Sequence, residues 1–302
     1  MDRIAALEAF VRVVERGSFS AAARDLRVGQ PTISKWIARL EDTFEVQLLD
    51  RTTRSVSVTD AGHALYTRGR AVLDAWESAL SASGEQALRG RLRVSVPVVF
   101  GQLFLSPLLS QWMRAHPEVE LEIIYSDRYV NLVEEGVDVA IRVGRPVDSS
   151  HRATLLARSS RRLVAAPAYL ASHGTPESPE DLVQHRCLLH GGLSVQETWV
   201  LSLGDVRHTV PISGRLSANS SATLRYLAVE GHGVALLADW LVEQTIREGR
   251  LVPLLSDYAL PSAPIRAVFA SSRHVAPRVR AFVAHLEATL PNRLAQGPVS
   301  MA

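Results

Sequence analysis

The sequence predicts an all-α N-terminal domain followed by a larger α/β region. Three observations support this fold class: two short amphipathic helices with a tight turn between them lie near the N-terminus, a long helix follows, and strands alternate with helices from Arg91 onward. With 302 residues, of which 47% are hydrophobic, the chain can bury the cores of two or three domains.

The second short helix has a surface suited to DNA. Ile33, Ile37 and Leu40 recur at spacings of four and three, which places them on one buried face. The opposite face is small and polar, and such side chains can reach base edges in a major groove. A surface helix of an ordinary helical bundle is the alternative that these helices leave open. We expect the DNA-contacting residues here to be Ser20, Gln30, Pro31, Thr32, Ser34, Lys35 and Arg39.

The segment after these helices indicates a wing. Val56 and Val58 alternate with Ser55 and Ser57, which is typical of a short strand pair. A wing in this position would meet DNA phosphates through Arg51, Thr52 and Arg54. The N-terminal domain is therefore predicted to be a winged helix-turn-helix.

Several motifs in this domain occur together and in order: Leu7-Glu-Ala-Phe10, Gly17-Ser-Phe-Ser-Ala-Ala-Ala23, Leu40-Glu41 and Arg51-Thr-Thr-Arg54. Through them, residues 3–62 closely resemble the winged helix-turn-helix of LysR-type transcriptional regulators. Gly29 departs from the family, which usually has Ser as the cap of the recognition helix. Glycine is a cap only a few tenths of a kcal/mol worse than serine, so the departure affects a hydroxyl contact with DNA rather than the fold.

A long helix is predicted from Thr59, its N-cap, to about Leu88. It carries an apolar stripe at near-heptad spacing, consisting of Leu65, Val72, Leu73, Trp76 and Leu80. The stripe favours pairing with a second helix, and packing against its own domain is the alternative. The family resemblance implies a linker helix that dimerises, with residues 81–90 as the hinge out of it.

From Arg91 the pattern is that of an α/β sheet flanked by helices. Strands are expected at 91–96, 119–125, 139–143, 163–166, 234–237 and 265–270, and helices at 101–116, 128–135, 222–230, 239–248 and 277–290, with a further helix opening at Ser178-Pro179. The motifs Asp138-Val-Ala-Ile-Arg-Val-Gly144 and Ala166-Pro-Ala-Tyr-Leu170 are similar to those of the CrgA-like subgroup of the family.

This resemblance implies a two-lobed effector domain of the periplasmic-binding-protein-like type 2 fold. The first lobe would contain residues 91–160 and 265–290, and the second 162–264. The domains expected are a winged helix-turn-helix at 1–60, a linker helix and hinge at 61–90, an effector-binding domain at 91–290 and a mobile tail at 291–302.

An effector cleft is expected beyond the carboxyl ends of the strands. The residues placed there are Val98, Val99, Phe100, Asp127, Arg142 and Val143 from the first lobe and Asn219 and Ser220, at the start of a helix, from the second. Apolar side chains beside Arg142 suit a small organic acid. A structural ion pair of Arg142 with Asp138 or Asp127 is the alternative.

Three motifs suggest chemistry that their context does not support. His185, Cys187 and His190 lie close in sequence, but a strand would turn His190 away from the other two, and no fourth metal ligand is near. His190-Gly-Gly lacks the Gly-x-Ser-x-Gly nucleophile of esterases. Gly231-His-Gly233 joins a helix to a strand, the reverse of a dinucleotide site. We therefore expect no enzymatic activity, no metal and no cofactor.

Composition bears on partners and on location. Residues 1–60 carry nine basic and nine acidic side chains, so a structural nucleoid protein with a broadly basic surface is disfavoured. A secreted solute-binding protein or an enzyme with a regulatory helix-turn-helix would need a signal peptide or a catalytic motif, and neither is recognised. The single cysteine and the absence of a long apolar run suit a cytoplasmic protein with no membrane partner. The partners expected are double-stranded operator DNA, a small-molecule effector, RNA polymerase, and further copies of the chain in a homodimer or homotetramer.

Overall fold

The computed structural model describes residues 2–51, 56–81, 88–128, 132, 135–144, 151–191, 197–270 and 275–297. Within these ranges, no helix combines the length and the apolar character needed to cross a bilayer.

The described elements follow the predicted order. The N-terminal part contains α1 (Arg3–Arg16), α2 (Phe19–Asp25), α3 (Gln30–Phe44), β1 (Leu49–Arg51), β2 (Val56–Val58) and α4 (Asp60–Ser81). The rest contains β3 (Gly90–Val96), α5 (Val98–Phe100), a π-helical turn (Gly101–Leu105), α6 (Ser106–Ala115), β4 (Val119–Tyr125), β5 (Val139–Val143), β6 (His151–Ser159), β7 (Arg161–Ala165), α7 (Pro167–His173), a 3-10 helix (Pro179–Gln184), β8 (Cys187–His190), β9 (Glu197–Leu203), β10 (Val206–Ile212), β11 (Leu216–Ala218), α8 (Ser221–Val229), β12 (Val234–Ala238), α9 (Asp239–Arg247), β13 (Val252–Leu254), β14 (Ala263–Ala270) and α10 (Pro277–Ala295).

The N-terminal helices surround one small core. Asp2 caps α1 by accepting from the Ile4 N–H at 2.9 Å, and Ser18 caps α2. Phe10 of α1, Ala22 of α2 and Ile33 of α3 are completely buried in this core, to which β1 and β2 add an antiparallel pair. The predicted winged helix-turn-helix is confirmed in these elements.

The first lobe contains a five-stranded sheet in the order β4-β3-β5-β14-β6. β3 is parallel to β4 and β5, whereas β14 is antiparallel to both β5 and β6. Its main core lies between the sheet and α6 and α10, where the rings of Trp112 and Phe282 meet edge to face at 5.2 Å.

The second lobe contains a sheet in the order β11-β8-β12-β7-β13 and a β9–β10 hairpin. The chain enters it between β6 and β7 and leaves it at β14. The family resemblance implied lobe boundaries at 160–162 and 264–265, and these lie close to the two crossings.

Two predicted boundaries are wrong. The linker helix ends at Ser81 and β3 begins at Gly90, so Leu88 is not helical. At the other end, α10 continues through Pro291 to Ala295, because Leu290 is buried and Leu294 packs on the first-lobe core. A tail beginning at 291 is therefore excluded. The helix predicted at 128–135 falls mostly outside the described residues, as does most of the hinge at 81–90.

Candidate DNA-binding surface and effector cleft

The recognition helix α3 has one buried and one exposed face. Ile33 and Ile37 are completely buried and Leu40 is nearly so, as predicted. The opposite side carries the polar residues proposed for DNA. Gln30, Pro31, Lys35 and Arg39 are exposed, and Thr32 and Ser34 are half-buried. The helix thus presents donors and acceptors outward on a rigid, well-packed base.

Gly29 is the N-cap of α3, as predicted, with φ −72° and no side-chain bond. The left-handed position of the turn before it is taken by Arg27, with φ 54°. A Cβ on Gly29 would meet only Pro31 Cδ at 3.6 Å and Thr32 Oγ1 at 3.9 Å, both ordinary contacts. Backbone geometry does not require glycine here, so a serine would fit at this position.

A side-chain hydrogen bond links the two helices of the motif. Ser20 Oγ at the start of α2 donates to Gln30 Oε1 at 3.0 Å. Both side chains are exposed. The bond restricts the Gln30 rotamer before any DNA is bound.

The wing is attached to α3 by Glu41. One carboxylate oxygen of Glu41 accepts from the backbone N–H groups of Leu48 and Leu49 at 2.8 and 3.2 Å. The wing strands therefore keep a fixed position relative to the recognition helix. Arg51 ends β1, and Thr52 and Arg54 lie outside the described residues.

The apolar stripe of α4 divides into two parts. Leu65 and Leu73 pack on the N-terminal core. For these two residues the prediction that they pair with a second helix was wrong, because they pack within their own domain. Val72 and Trp76 are 48% and 49% exposed. Gly69, between Leu65 and Leu73 in sequence, lies against Leu7 of α1. The Leu80 side chain is outside the described part.

Two of the residues predicted for the cleft hold the strand ends together. Asp127 Oδ1 accepts from the Val98 N–H at 3.0 Å, which caps the start of α5. Both residues are half-buried. This contact ties the end of β4 to the start of α5.

Val99 and Phe100 lie at the junction of the lobes. Phe100 is 2% exposed, and its ring packs on Phe104 at 5.4 Å and on Trp240 of α9 at 5.9 Å. Val99 packs on the second-lobe core. Phe100 is consequently a core residue rather than an open wall of a cleft. Phe100 was predicted for the cleft because it follows a strand. That position in the sequence gives no sign that Trp240 covers the ring.

Arg142 lies near the carboxyl end of β5. Its Nη1 is 3.5 Å from the Oγ of buried Ser95, and Val143 beside it packs on the core. Asp138, one of the two ion-pair partners considered from the sequence for Arg142, binds Arg70. The residue directly opposite on β14 is Arg266, beside a β-bulge.

Asn219 and Ser220 precede α8 as predicted. Ser220 is the N-cap and accepts from the Thr223 N–H at 3.4 Å, while Asn219 is exposed. Sequence reasoning missed Arg266 and Trp240. Both become recognisable only when the pairing of β14 and the position of α9 are known, since neither belongs to a motif.

The His185–Cys187 segment has a structural environment. The Tyr169 hydroxyl accepts from the Arg186 N–H at 2.9 Å and lies 3.2 Å from His185 Nδ1. Burial lowers the pKa of His185 and raises that of the Cys187 thiol to about 12. In the described part of the chain, no three His, Cys, Asp or Glu residues converge as a metal site.

Family models match both parts of the chain. The model described as "Bacterial regulatory helix-turn-helix protein, lysR family" matches residues 4–63, and "LysR substrate binding domain" matches residues 85–291.

Relatives match over almost their whole length. The HTH-type transcriptional regulator CrgA of Neisseria meningitidis serogroup C (strain 8013) is 37% identical over 291 residues, covering 95% of this chain and 97% of the relative. The regulator PtxR of Pseudomonas aeruginosa is 37% identical over 297 residues, covering 96% and 95%. Among solved structures, CrgA from Neisseria meningitidis superimposes with a TM-score of 0.55 at 35% identity, covering 95% of this chain and 98% of that one. The Vibrio cholerae virulence activator AphB gives 0.55 at 28% identity, covering 95% and 99%.

The two relatives are named transcriptional regulators, and the family resemblance read from the N-terminal motifs is confirmed. The chain therefore belongs to the LysR family, as a transcriptional regulator with a DNA-binding helix-turn-helix and a domain that binds a small-molecule effector.

Proposed function

We propose that the protein reads an operator through the exposed face of α3. The observation that supports this proposal is that Lys35 and Arg39 are exposed on the side of the helix away from buried Ile33 and Ile37, with Gln30 exposed at its first position. Hydroxyl, amide and ammonium groups on such a face can bond to base edges in the major groove. Ser20, Pro31, Thr32 and Ser34 complete this surface, and Arg51, Thr52 and Arg54 of the wing would contact phosphates.

The protein would act as a homodimer or homotetramer. Val72 and Trp76 expose apolar surface on a 22-residue helix, and a second copy of α4 would cover it. Two recognition helices held in this way would read the half-sites of a pseudo-palindrome.

The effector would be a small organic acid bound between the lobes. Arg142 and Arg266 are directly opposite on neighbouring strands, and a carboxylate between them would accept hydrogen bonds from both guanidinium groups. Exposed Leu155, opposite Arg266 on β6, supplies apolar surface beside them. Val98, Asp127, Val143, Asn219 and Ser220 are the other groups proposed around the ligand, and Val99 and Phe100 would respond through the lobe junction.

Effector binding would change the angle between the lobes. This would change the distance between the winged helix-turn-helix domains of the oligomer. The change would alter contacts with the operator or with RNA polymerase.

The protein would act in the cytoplasm, as a regulator without enzymatic activity or cofactor. Its units would be the winged helix-turn-helix at 1–60, the linker helix with its hinge at 61–90, and the effector domain from 91.

The test is to map the genomic fragments that the full chain binds and then to titrate one of them with Lys35→Ala. We expect the specific affinity to fall by about 1–3 kcal/mol if Lys35 contacts a base edge. Arg247→Ala removes a cation from an exposed position on α9 and is the control. Equal operator affinity and selectivity of Lys35→Ala and wild type would rule out this DNA-binding surface.

A further inference from the structure

The linker helix is joined to the first lobe by a buried ion pair. Arg70 of α4 and Asp138, which directly precedes β5, are paired through Nη2 and Oδ1, and their side chains are 11% and 7% exposed. Arg70 Nη1 also donates to the Gly136 carbonyl at 2.8 Å. Two polar contacts thus connect one guanidinium to one loop of the effector domain.

Each member of the pair is also fixed within its own domain. Arg70 Nε lies 4.0 Å from a carboxylate oxygen of Glu15 in α1, whose side chain is 6% exposed. On the other side, Asp138 Oδ2 accepts from the Arg93 N–H at 2.8 Å. The charges are therefore held in place from both domains. Burial alone would lower the pKa of Arg70, but the attraction of Asp138 raises it overall.

Gly136 makes the close approach possible. It has φ +61°, and a Cβ there would lie 2.8 Å from Arg93 Nη1 and 3.5 Å from the Tyr66 ring. A larger residue would be strained at this φ, and its Cβ would displace the Arg93 guanidinium. Residues 135–138 thus have a backbone shape that suits this face of the helix.

Further ion pairs connect the same two bodies. Arg278 at the start of α10 donates to Asp74 of α4 at 2.7 Å and to the Arg91 carbonyl at 2.8 Å. At the rim, Arg16 of α1 donates to both carboxylate oxygens of Glu120 in β4, at 2.9 and 3.0 Å. A cavity of about 120 Å³ remains between α4 and the lobe, so this interface, the seam, is not closely packed throughout.

Buried ion pairs contribute less to net stability than to the choice of one arrangement, because desolvation offsets much of their attraction. A domain contact made in this way can hold a defined geometry and still open. We propose that Arg70 and Asp138 form an interdomain latch that fixes the DNA-binding domain and its linker helix on the first lobe of the same chain. Asp138 and Arg142 lie at opposite ends of β5, so the latch and the proposed effector cleft are connected through this one strand.

The test is hydrogen exchange on the full-length protein, which needs neither DNA nor effector and is thus independent of the proposed function. For each variant, amide exchange is measured on the side of the seam that does not carry the substitution: in the first lobe for Arg70→Gln and in α4 for Asp138→Asn. Arg70→Gln should make the amides of Arg93 and residues 135–138 exchange on the order of tenfold faster, and Asp138→Asn should do the same for residues 66–76 of α4. Arg68→Gln, at an exposed position on the same helix, is the control and should change neither side.

Changes confined to the substituted side, or equal changes in Arg68→Gln, would overturn the proposal. Should either latch variant fail to fold, Asp74→Asn takes its place, because Asp74 is 20% exposed and its loss is better tolerated. Because Asp74 holds the same helix on the same lobe, its loss should speed exchange at the start of α10 and at residues 135–138, and unchanged exchange at residues 135–138 would contradict the latch.

Discussion

Ser20 Oγ donates to Gln30 Oε1 at 3.0 Å, joining the first residues of the two helices that would face DNA. The bond leaves the Gln30 amide NH₂ and one oxygen lone pair available. A glutamine held in this way is ready to bond to an adenine edge, since part of its rotamer entropy has been lost before binding.

Gln30→Ala should weaken operator binding by about 1–3 kcal/mol if this amide reads a base. Ser20→Ala should cost less, about 0.5–1.5 kcal/mol, because it removes only the restraint. Both can be measured by gel-shift titration against a specific and a random fragment. Gln244→Ala in α9 is the matched control, and a Gln30→Ala protein that binds like this control would contradict the assignment.

Trp76→Glu should shift the protein towards monomer. In a helix pair the new carboxylate would be buried without a partner, which is strongly unfavourable. Sedimentation velocity at micromolar concentration measures the change, and DNA binding should fall with it because two half-sites are no longer engaged together. Ala64→Glu places the same charge at an exposed position on a different side of α4 and should leave the sedimentation unchanged. An unaltered oligomer in Trp76→Glu would exclude this pairing face.

A screen of small carboxylic acids should raise the melting temperature of the full chain. A ligand at a hundredfold excess over Kd stabilises the folded state by about 2.7 kcal/mol. Arg142→Ala and Arg266→Ala should each abolish the shift for an acid, since both guanidinium groups would bind the carboxylate. Arg247→Ala should retain it. An acid that still stabilises both variants must bind elsewhere.

Cys187 should be unreactive in the folded protein. The side chain is 1% exposed, and burial raises the pKa of its thiol to about 12, so almost no thiolate is present at neutral pH. A disulfide reagent at pH 8 should release its chromophore only after denaturant is added. The reading is unambiguous because the chain has one cysteine. Stoichiometric reaction of the native protein would contradict the burial.

Protonation of His185 should destabilise the second lobe. The Tyr169 hydroxyl accepts from the Arg186 N–H and keeps its own proton to donate, and Nδ1 of a neutral His185 ring, 3.2 Å away, can accept it. Burial lowers the pKa of His185 below that of the unfolded chain, about 6.5. The contribution to stability is therefore complete above that pH and is lost as the pH falls through the folded-state value.

Thermal melts between pH 8 and pH 5 should reveal this loss. His185→Asn, whose amide can replace Nδ1 as the acceptor without titrating, should lose less stability over the same interval. Parallel losses in the two proteins would show that His185 is not the titrating group.

The sequence by itself determined the elements and their order. Ile33, Ile37 and Leu40 identified the buried face of α3, and the alternation in residues 119–125 and 139–143 gave the bounds of β4 and β5, because hydrophobic period depends on local geometry alone. The crossing points between the lobes came instead from the family resemblance. Helix ends were less predictable: Pro291 would be expected to stop α10, and only the burial of Leu290 and the packing of Leu294 on the lobe core explain why it does not.

The tertiary structure decided which side chains meet. Arg142 and Arg266 are far apart in sequence and become neighbours only because β14 returns to pair with β5. Phe100 belongs to the core because Trp240 covers it from the other lobe, and Arg70 finds Asp138 only where α4 rests on the first lobe. Such contacts depend on how distant segments of the chain pack together. The spacing of hydrophobic residues within one segment carries no information about that packing.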